Sequence, residues 1–331
     1  VDIIDLQVED LSPSDFKERV SSSKPSFIGI TAHSVEIGNA LSIARLAKQA
    51  YSQARVVMGG PHPSIMPDEM LKEECVDFVI RGEGEKTFLE LVQGRSLNKI
   101  KGLSYKEDGS AIHNEHRELI LSLDEIPFPA YYLMPMGKYR PSAGNYLRLP
   151  AISMMATRGC PAKCTYCYTQ AMGDRVRSRS AANIAEEIKL LQRRYGIKEI
   201  SFYDDTFTTN RKIVKELCSI ILAEGMDVTW SCMSRVDCVD LDLLKLMKKA
   251  GCHQIGYGIE SADEKILENI NKRISLRKAE DTVQSTKKAG IDVRAMFMLG
   301  SPGETAETLE KTLRYAISLD ADIYVFNITV P

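Results

Sequence analysis

Cys160, Cys164 and Cys167 stand at C-x3-C-x2-C spacing in the run ATRGCPAKCTYCYTQ. Cysteine is the usual ligand of cuboidal iron–sulfur clusters, so three thiolates can hold three irons and leave the fourth open. An iron without a protein ligand is a reactive centre rather than a structural staple. A zinc site asks for four ligands, commonly as two close pairs, and the next cysteine downstream is Cys218. A ferredoxin-type carrier would want four cysteines per cluster. The spacing therefore favours a cluster with one exchangeable position over zinc or inert packed thiols.

The elements that must position this triplet read as alternating strands and helices. Strands are expected at 150–156, 198–204, 227–234, 253–260, 292–299 and 322–330, with helices at 180–195, 210–224, 240–250, 275–289 and 304–318. Six such units would curl into a barrel or an open part of one, with chemistry at the C-terminal strand ends. The triplet follows the first strand, which puts it at that face. SFYDDTF, SCMSRVD, GYGIES and FMLGSPGET close the next four strands. They bring Asp204 and Asp205, Ser234 and Arg235, Glu260 and Ser261, and then Gly300, Pro302 and Gly303 to the same rim. Taken singly, each has a plain alternative: aspartates cap helices, and an arginine at a strand end can simply be a surface residue.

Cys160, Cys164, Tyr166 and Cys167 match the C-x3-C-x-(aromatic)-C motif, and with it the chain resembles the radical S-adenosylmethionine (SAM) superfamily. The resemblance implies a [4Fe-4S] cluster whose open iron is chelated by the SAM amino and carboxylate groups. One electron, from a reductant such as flavodoxin or ferredoxin, then cleaves SAM to methionine and a 5′-deoxyadenosyl radical. It also implies roles at the strand ends. Asp204 and Asp205 become candidates for the SAM amino group, and Ser234 and Arg235 for its carboxylate, which an arginine fork suits. Glu260 and Ser261 become the ribose pair. Gly300, Pro302 and Gly303 form a turn beside adenine, where glycine lets backbone approach a ligand.

Upstream, residues 1–95 read as a Rossmann-like sheet with strands at 1–6, 26–32, 55–60 and 77–85, covered by helices near 13–20, 37–53, 67–74 and 85–93. Its first strand is expected to lie upstream of residue 1. Ligands of open α/β sheets sit beyond the C-terminal strand ends, where ITAHS, VVMGGPHPS and VIRGEGEKTF fall. These loops resemble the cobalamin-binding domain of cobalamin-dependent radical SAM enzymes. The resemblance makes Thr31, Ser34, Gly59, Gly60, Gly82, Glu83 and Gly84 cobalamin contacts. A D-x-H-x-x-G motif that would supply a histidine to cobalt is absent, so His33 and His62 read as loop histidines. A dinucleotide site would want G-x-G-x-x-G opening a helix, and RGEGEKTF offers only G-E-G. A domain that has lost its cofactor stays open.

Residues 96–149 differ in texture: a hairpin turning at Asp108-Gly109, then a proline-rich linker. Residues 150–331 form the half-barrel, expected to stop at its sixth strand. Tyr139, Arg140 and Tyr146 suit either a cavity wall or linker packing. The fold class is thus α/β, a Rossmann-like parallel sheet of cobalamin-binding type followed by a partial (β/α)6 TIM barrel of radical SAM type.

Bulk properties fit this. The 331 residues carry a net charge of −2 and are 44% hydrophobic, which suits two cored domains and argues against a nucleic-acid or membrane-surface binder. No apolar run reaches the roughly 20 residues of a membrane span, and no secretory signal is visible. Eight cysteines, five of them scattered, point to a reduced, cytoplasmic protein. The preferred function is C-methylation of an unactivated carbon by a cobalamin-dependent radical SAM enzyme. The alternatives are a ring-forming enzyme like the anaerobic cyclase of bacteriochlorophyll precursors, and a non-enzymatic iron–sulfur carrier or sensor. A methylthiotransferase is disfavoured because Cys75 is alone in the first domain, where that class carries a set of cluster cysteines. The substrate is not named by any motif.

Overall fold

The apolar runs SFIGIT and ARVVMG become neighbouring parallel strands, β1 (Phe27–Thr31) and β2 (Arg55–Gly59), paired so that Thr31 lies opposite Gly59. In this computed structural model, residues 1–142, 144–168 and 172–329 are described, and the chain divides into units at residues 1–120 and 121–331. In the first unit β3 (Phe78–Ile80) continues the parallel sheet. The hairpin β4 (Leu103–Glu107) and β5 (Ser110–His113) then extends it antiparallel. Asp108 and Gly109 turn that hairpin with φ of 49° and 78°, the pair of positive values a tight two-residue loop requires. The hairpin therefore belongs to the first sheet rather than to a linker.

Helix Ile37–Ala50 covers this sheet with a stripe of buried Ala40, Ala44 and Ala47, small residues three and four apart that allow close packing. Two expectations fail here. Residues 1–6 are not a strand: the Asp5 carbonyl accepts from the amides of Val8 and Glu9. Arg19 binds both Asp2 and Glu9, tying the segment to helix Pro13–Ser23. The PHPSIMP break is instead a short helix, Pro61–Ile65, opened by proline in its first turn, where no amide is needed.

In the second unit β6 (Ala151–Met154) leads through a two-residue ladder, β7 (Thr157–Arg158) with β8 (Arg177–Ser178). There follow β9 (Glu199–Phe202), β10 (Thr229–Ser234), β11 (Cys252–Glu260), β12 (Asp292–Leu299) and β13 (Ile323–Ile328). Their order is β13-β12-β11-β10-β9-β6, parallel throughout, a curled half-barrel. Successive strand residues point to opposite faces. Ile200, Phe202, Trp230, Tyr257, Val293 and Phe297 meet the helices in one core.

The other face is small or polar. Ser201 and Ser231 lie 3.3 Å apart there. A Cβ on Gly256 would meet Met233 Sδ at 2.6 Å and Met296 Cε at 3.6 Å. The covering helices start at side-chain caps, Ser180, Asn210, Asp240, Asp263, Ser275 and Thr305, each satisfying an otherwise unpaired amide.

At the opposite end from the rim, Glu199 is fully buried. It accepts from the amides of Leu147 and Arg148 and the Thr229 hydroxyl, with His253 Nε2 at 2.8 Å. Segment 121–149 is thus built into this unit, also through Tyr131 bonding Glu187 and Arg148 forking onto Asp227. Among the described residues, no helix is long and apolar enough to cross a membrane.

Candidate functional site

The cysteine loop leaves β6 at the C-terminal rim and is shaped by what surrounds it. Gly159 has φ of 89°, and a Cβ there would lie 2.4 Å from the Arg175 carbonyl and 2.8 Å from that of Met172. Only glycine fits so close a backbone approach at positive φ, one residue before the first thiol. Cys160 is buried, its amide bonding the Gly173 carbonyl, and Thr206 Oγ1 lies 4.0 Å from its sulfur. Cys164 is half-buried and Cys167 exposed. Among the described residues, no three His, Cys, Asp or Glu side chains converge on a single ion position. Thiolates that each bind a different iron do not need to converge, so three thiols in this loop fit a cluster.

The strand ends divide into supports and open groups. Asp204 is 2% exposed. It accepts from Ala156 N at 3.1 Å, from the Thr157 amide and from Thr157 Oγ1 at 2.6 Å. Burial pushes its carboxyl up to about 6, against those donors. Its oxygens are spent on the start of the cysteine loop, which turns the expected ligand contact into a support. Asp205 is exposed. Ser261 is fully buried, with Thr312 Oγ1 at 3.3 Å, and accepts the Asp263 amide. It too is held by the protein's own groups in this arrangement. Ser234 is buried, 2.5 Å from the Thr208 hydroxyl. Arg235 forks onto Asp237 at 3.0 and 2.9 Å. Burial opposes the Arg235 charge, but Asp237 outweighs it and raises its pKa.

Glu260 ends β11 at a register shift, with a φ of 73° that is unusual for a residue bearing a side chain. Its Oε1 accepts from Tyr166 OH at 3.0 Å and from Lys272 Nζ at 2.7 Å, and Lys272 Nζ lies 3.2 Å from Tyr166 OH. Burial first, and the Glu260 charge next, push the Tyr166 hydroxyl up, keeping it a neutral donor. Lys272 is buried and was invisible to motif reading, because it follows a helix (Glu264–Asn269) that was not foreseen. The signal was present: Asp263, a good cap, stands just before EKILEN.

Tyr166, Glu260, Met296, Met298, Asn327, Ile328 and Thr329 line a cleft of about 260 Å³. Beside it Gly300 and Gly303 have φ of 87° and 86°, and the Glu304 carboxylate holds the amides of Gly300 and Ser301. The Pro302 carbonyl accepts from Asn269. Ser301 Oγ, Glu304 Oε1 and Thr329 Oγ1 are buried without a hydrogen-bond partner. Buried polar atoms are normally satisfied, so this turn fits a polar ligand.

In the first unit, the loops after β1, β2 and β3 carry the other expected residues. Gly60 has φ of 94°, and a Cβ would lie 2.7 Å from Thr31 Oγ1 and 3.0 Å from the Ala32 carbonyl, while Gly59 faces open space. Thr31 and Ser34 are exposed. His62 Nδ1 lies 3.1 Å from Ser34 Oγ, and His62 Nε2 is buried with no hydrogen bond. Gly82 donates its amide to Ser64, which bonds the Gly60 carbonyl, linking two of the three loops. Gly84 caps the next helix. Glu83 is buried and accepts the Ile120 amide, which places it among supports. His62 Nε2 has the Glu69 carboxylate at 3.8 Å, and the open space at Gly59 beside the exposed Thr31 and Ser34 fits a large ligand with polar side groups.

Residues 1–92 match the B12 binding domain family and residues 154–316 the radical SAM superfamily. An uncharacterized methyltransferase of Pyrococcus horikoshii is 41% identical over 337 residues, spanning 100% of this chain and 72% of its own length. The anaerobic magnesium-protoporphyrin IX monomethyl ester cyclase of Rubrivivax gelatinosus is 30% identical across 97% of this chain and 59% of its own length. The chain thus spans little more than half of that relative. The fold is shared with the radical S-adenosylmethionine methyltransferase TsrM of Kitasatospora setae, whose structure has cobalamin and a [4Fe-4S] cluster bound. That match has a TM-score of 0.78 at 20% identity and covers 96% of this chain and 64% of that one. With a cysteine triplet at the rim of a six-stranded half-barrel and a B12-type sheet ahead of it, the chain belongs to the radical SAM superfamily and carries a B12 binding domain.

Proposed function

We propose that the chain is the catalytic part of a cobalamin-dependent radical SAM methyltransferase acting on an unactivated carbon. The observation that carries this is the pairing, in one chain, of the B12-type sheet with a rim that holds three thiols beside a cleft where Glu260 and Tyr166 stand among methionines. When bound, a reduced cluster with SAM would supply a carbon radical, and cobalamin would supply the methyl group. Cys160, Cys164 and Cys167 hold the cluster. Tyr166, Asp205, Arg235 and Glu260 are the groups offered to SAM, with the Gly300–Gly303 turn beside the base. Arg235 would meet a carboxylate by sharing its charge with Asp237. Thr31, Ser34, Gly59, Gly60 and Gly82 edge the cobalamin site. Burial of Cys160 and the close-packed loop around Gly159 shield that thiol, while Cys164 and Cys167 stay more open. An oxygen-sensitive cluster of this kind suits a reducing, cytoplasmic setting with a flavodoxin- or ferredoxin-type donor.

Ring closure on a porphyrin is the second reading, favoured by the 30% identity to the Rubrivivax gelatinosus cyclase across 97% of this chain. Anaerobic reconstitution with iron, sulfide, cobalamin and SAM separates the classes. Wild-type protein should form 5′-deoxyadenosine on reduction, and Cys160→Ala should lose it. A cluster that reduces without cleaving SAM would overturn the enzyme reading in favour of a carrier. Protein that takes the cluster but retains no cobalamin would remove the methyl-transfer assignment.

A further inference from the structure

The turn at residues 269–273 touches four parts of the rim: the cysteine loop, Arg235, Glu260 and the Pro302 turn. Thr165 N donates to the Ile270 carbonyl at 3.0 Å, and Asn271 Nδ2 donates to the Lys163 carbonyl at 2.5 Å. Lys272 reaches Tyr166 and Glu260, Arg235 donates to the Lys272 carbonyl at 3.4 Å, and Asn269 holds the Pro302 carbonyl. Asn271 and Arg273 both have φ of 52°, so two left-handed residues flank Lys272 in a backbone that side chains rarely adopt. Such conformations persist where surrounding structure over-determines them.

Space for the ion pair is cut into β11. A Cβ on Gly258 would lie 2.4 Å from Glu260 Oε1 and 2.9 Å from Lys272 Nζ. Both hydrogen bonds to Glu260 land on Oε1, and no described residue donates to Oε2. A buried carboxylate that has one oxygen filled by the protein presents the other with a fixed direction.

We propose that Lys272 is a positioning residue: with Tyr166 it saturates Glu260 Oε1, aims Oε2 into the cleft at the ribose hydroxyls of SAM, and locks the cysteine loop to the end of β11. This rests on the reading of the cleft as a SAM site. The lock is a mechanical statement about the protein and can be measured without SAM.

The test compares wild type, Lys272→Met, Lys272→Arg and the double variant Lys272→Met with Glu260→Gln. The double variant removes both charges and so avoids leaving a buried carboxylate unpaired, which is strongly destabilising. In reconstituted protein, Lys272→Met should keep its iron and sulfide, raise the KM for SAM about tenfold or more, and change kcat less. Lys272→Arg should recover most of the loss. Amide exchange over residues 163–168 should accelerate in Lys272→Met and in the double variant. An unchanged KM for SAM in Lys272→Met would overturn the aiming role, and unchanged amide exchange in both Met variants would overturn the lock. If wild-type protein with a full cluster bound no SAM, the functional reading and the aiming role would fall together, while exchange still decides the lock.

Discussion

Asp204 is bound into the protein's own frame at a position where a ligand contact was expected. Its position at the end of β9 matched a ligand role, but its oxygens are filled by Ala156 and Thr157. Asp204→Ala would leave three buried donors without an acceptor and should destabilise the second unit by about 2–4 kcal/mol. Asp205→Ala, at an exposed position, should fall within about 0.5 kcal/mol of wild type. Urea unfolding of the two variants checks the contrast. An Asp204→Ala protein of wild-type stability that lost only SAM binding would restore the ligand role. The thiols stood out by type and spacing, and Tyr166 and Glu260 became candidates only through the family resemblance. Lys272 did not stand out, because it reaches Glu260 through a turn whose two left-handed residues, Asn271 and Arg273, leave no glycine mark in the sequence. The burial of Ser261 was not legible for a related reason. Whether a strand-end hydroxyl faces a ligand or the helix behind depends on a register shift that spacing does not encode.

Elements were read more securely than contacts. The six half-barrel strands and the helices between them follow from apolar runs bounded by caps and glycines, and their observed ranges lie close to the expected ones. VDIIDL failed because an apolar run says nothing about its neighbours. Asp2, Asp5 and Glu9 gave the chain ion pairs and turn bonds that outcompete a sheet edge. At the closed end of the barrel, Glu199 ties segment 147–148 to β10 and β11. Burial pushes its carboxyl up, but His253 and the amides of Arg148 and Leu147 outweigh that and hold it below the ordinary 4.5. A carboxyl with a lowered folded pKa contributes stability that is complete above the unfolded value and lost as pH falls through the folded one. Wild type should therefore lose stability more steeply than Glu199→Gln as pH drops below 4.5, and acid unfolding curves of the pair measure the difference. Parallel curves would mean the buried carboxylate is not ionised in the native state.

At the scale of the whole molecule, the sequence pattern changes texture over residues 96–149, and the structure divides within that stretch, between residues 120 and 121. What the pattern did not disclose was how the inner face of the half-barrel is furnished. Thioethers are prominent there: Met233 fills the space left by Gly256, and Met296 and Met298 line the cleft beside Tyr166, Glu260 and Ile328. Methionine conforms to irregular cavities, which would suit the proposed role of this cleft in admitting SAM. It is also readily converted by oxidants to a polar, chiral sulfoxide. Air therefore threatens this protein twice. Cluster loss is undone by iron and sulfide, but sulfoxides in the cleft are not, so aged protein rebuilt to full iron content should regain only part of its SAM cleavage. Peptide mass spectrometry should find the added oxygen on Met296 or Met298, and sulfoxide reductase should return the missing fraction. Full recovery with iron and sulfide alone would show that the thioethers had been spared. The durability of the enzyme would then be set by two separate repair chemistries, one for its metal and one for its walls.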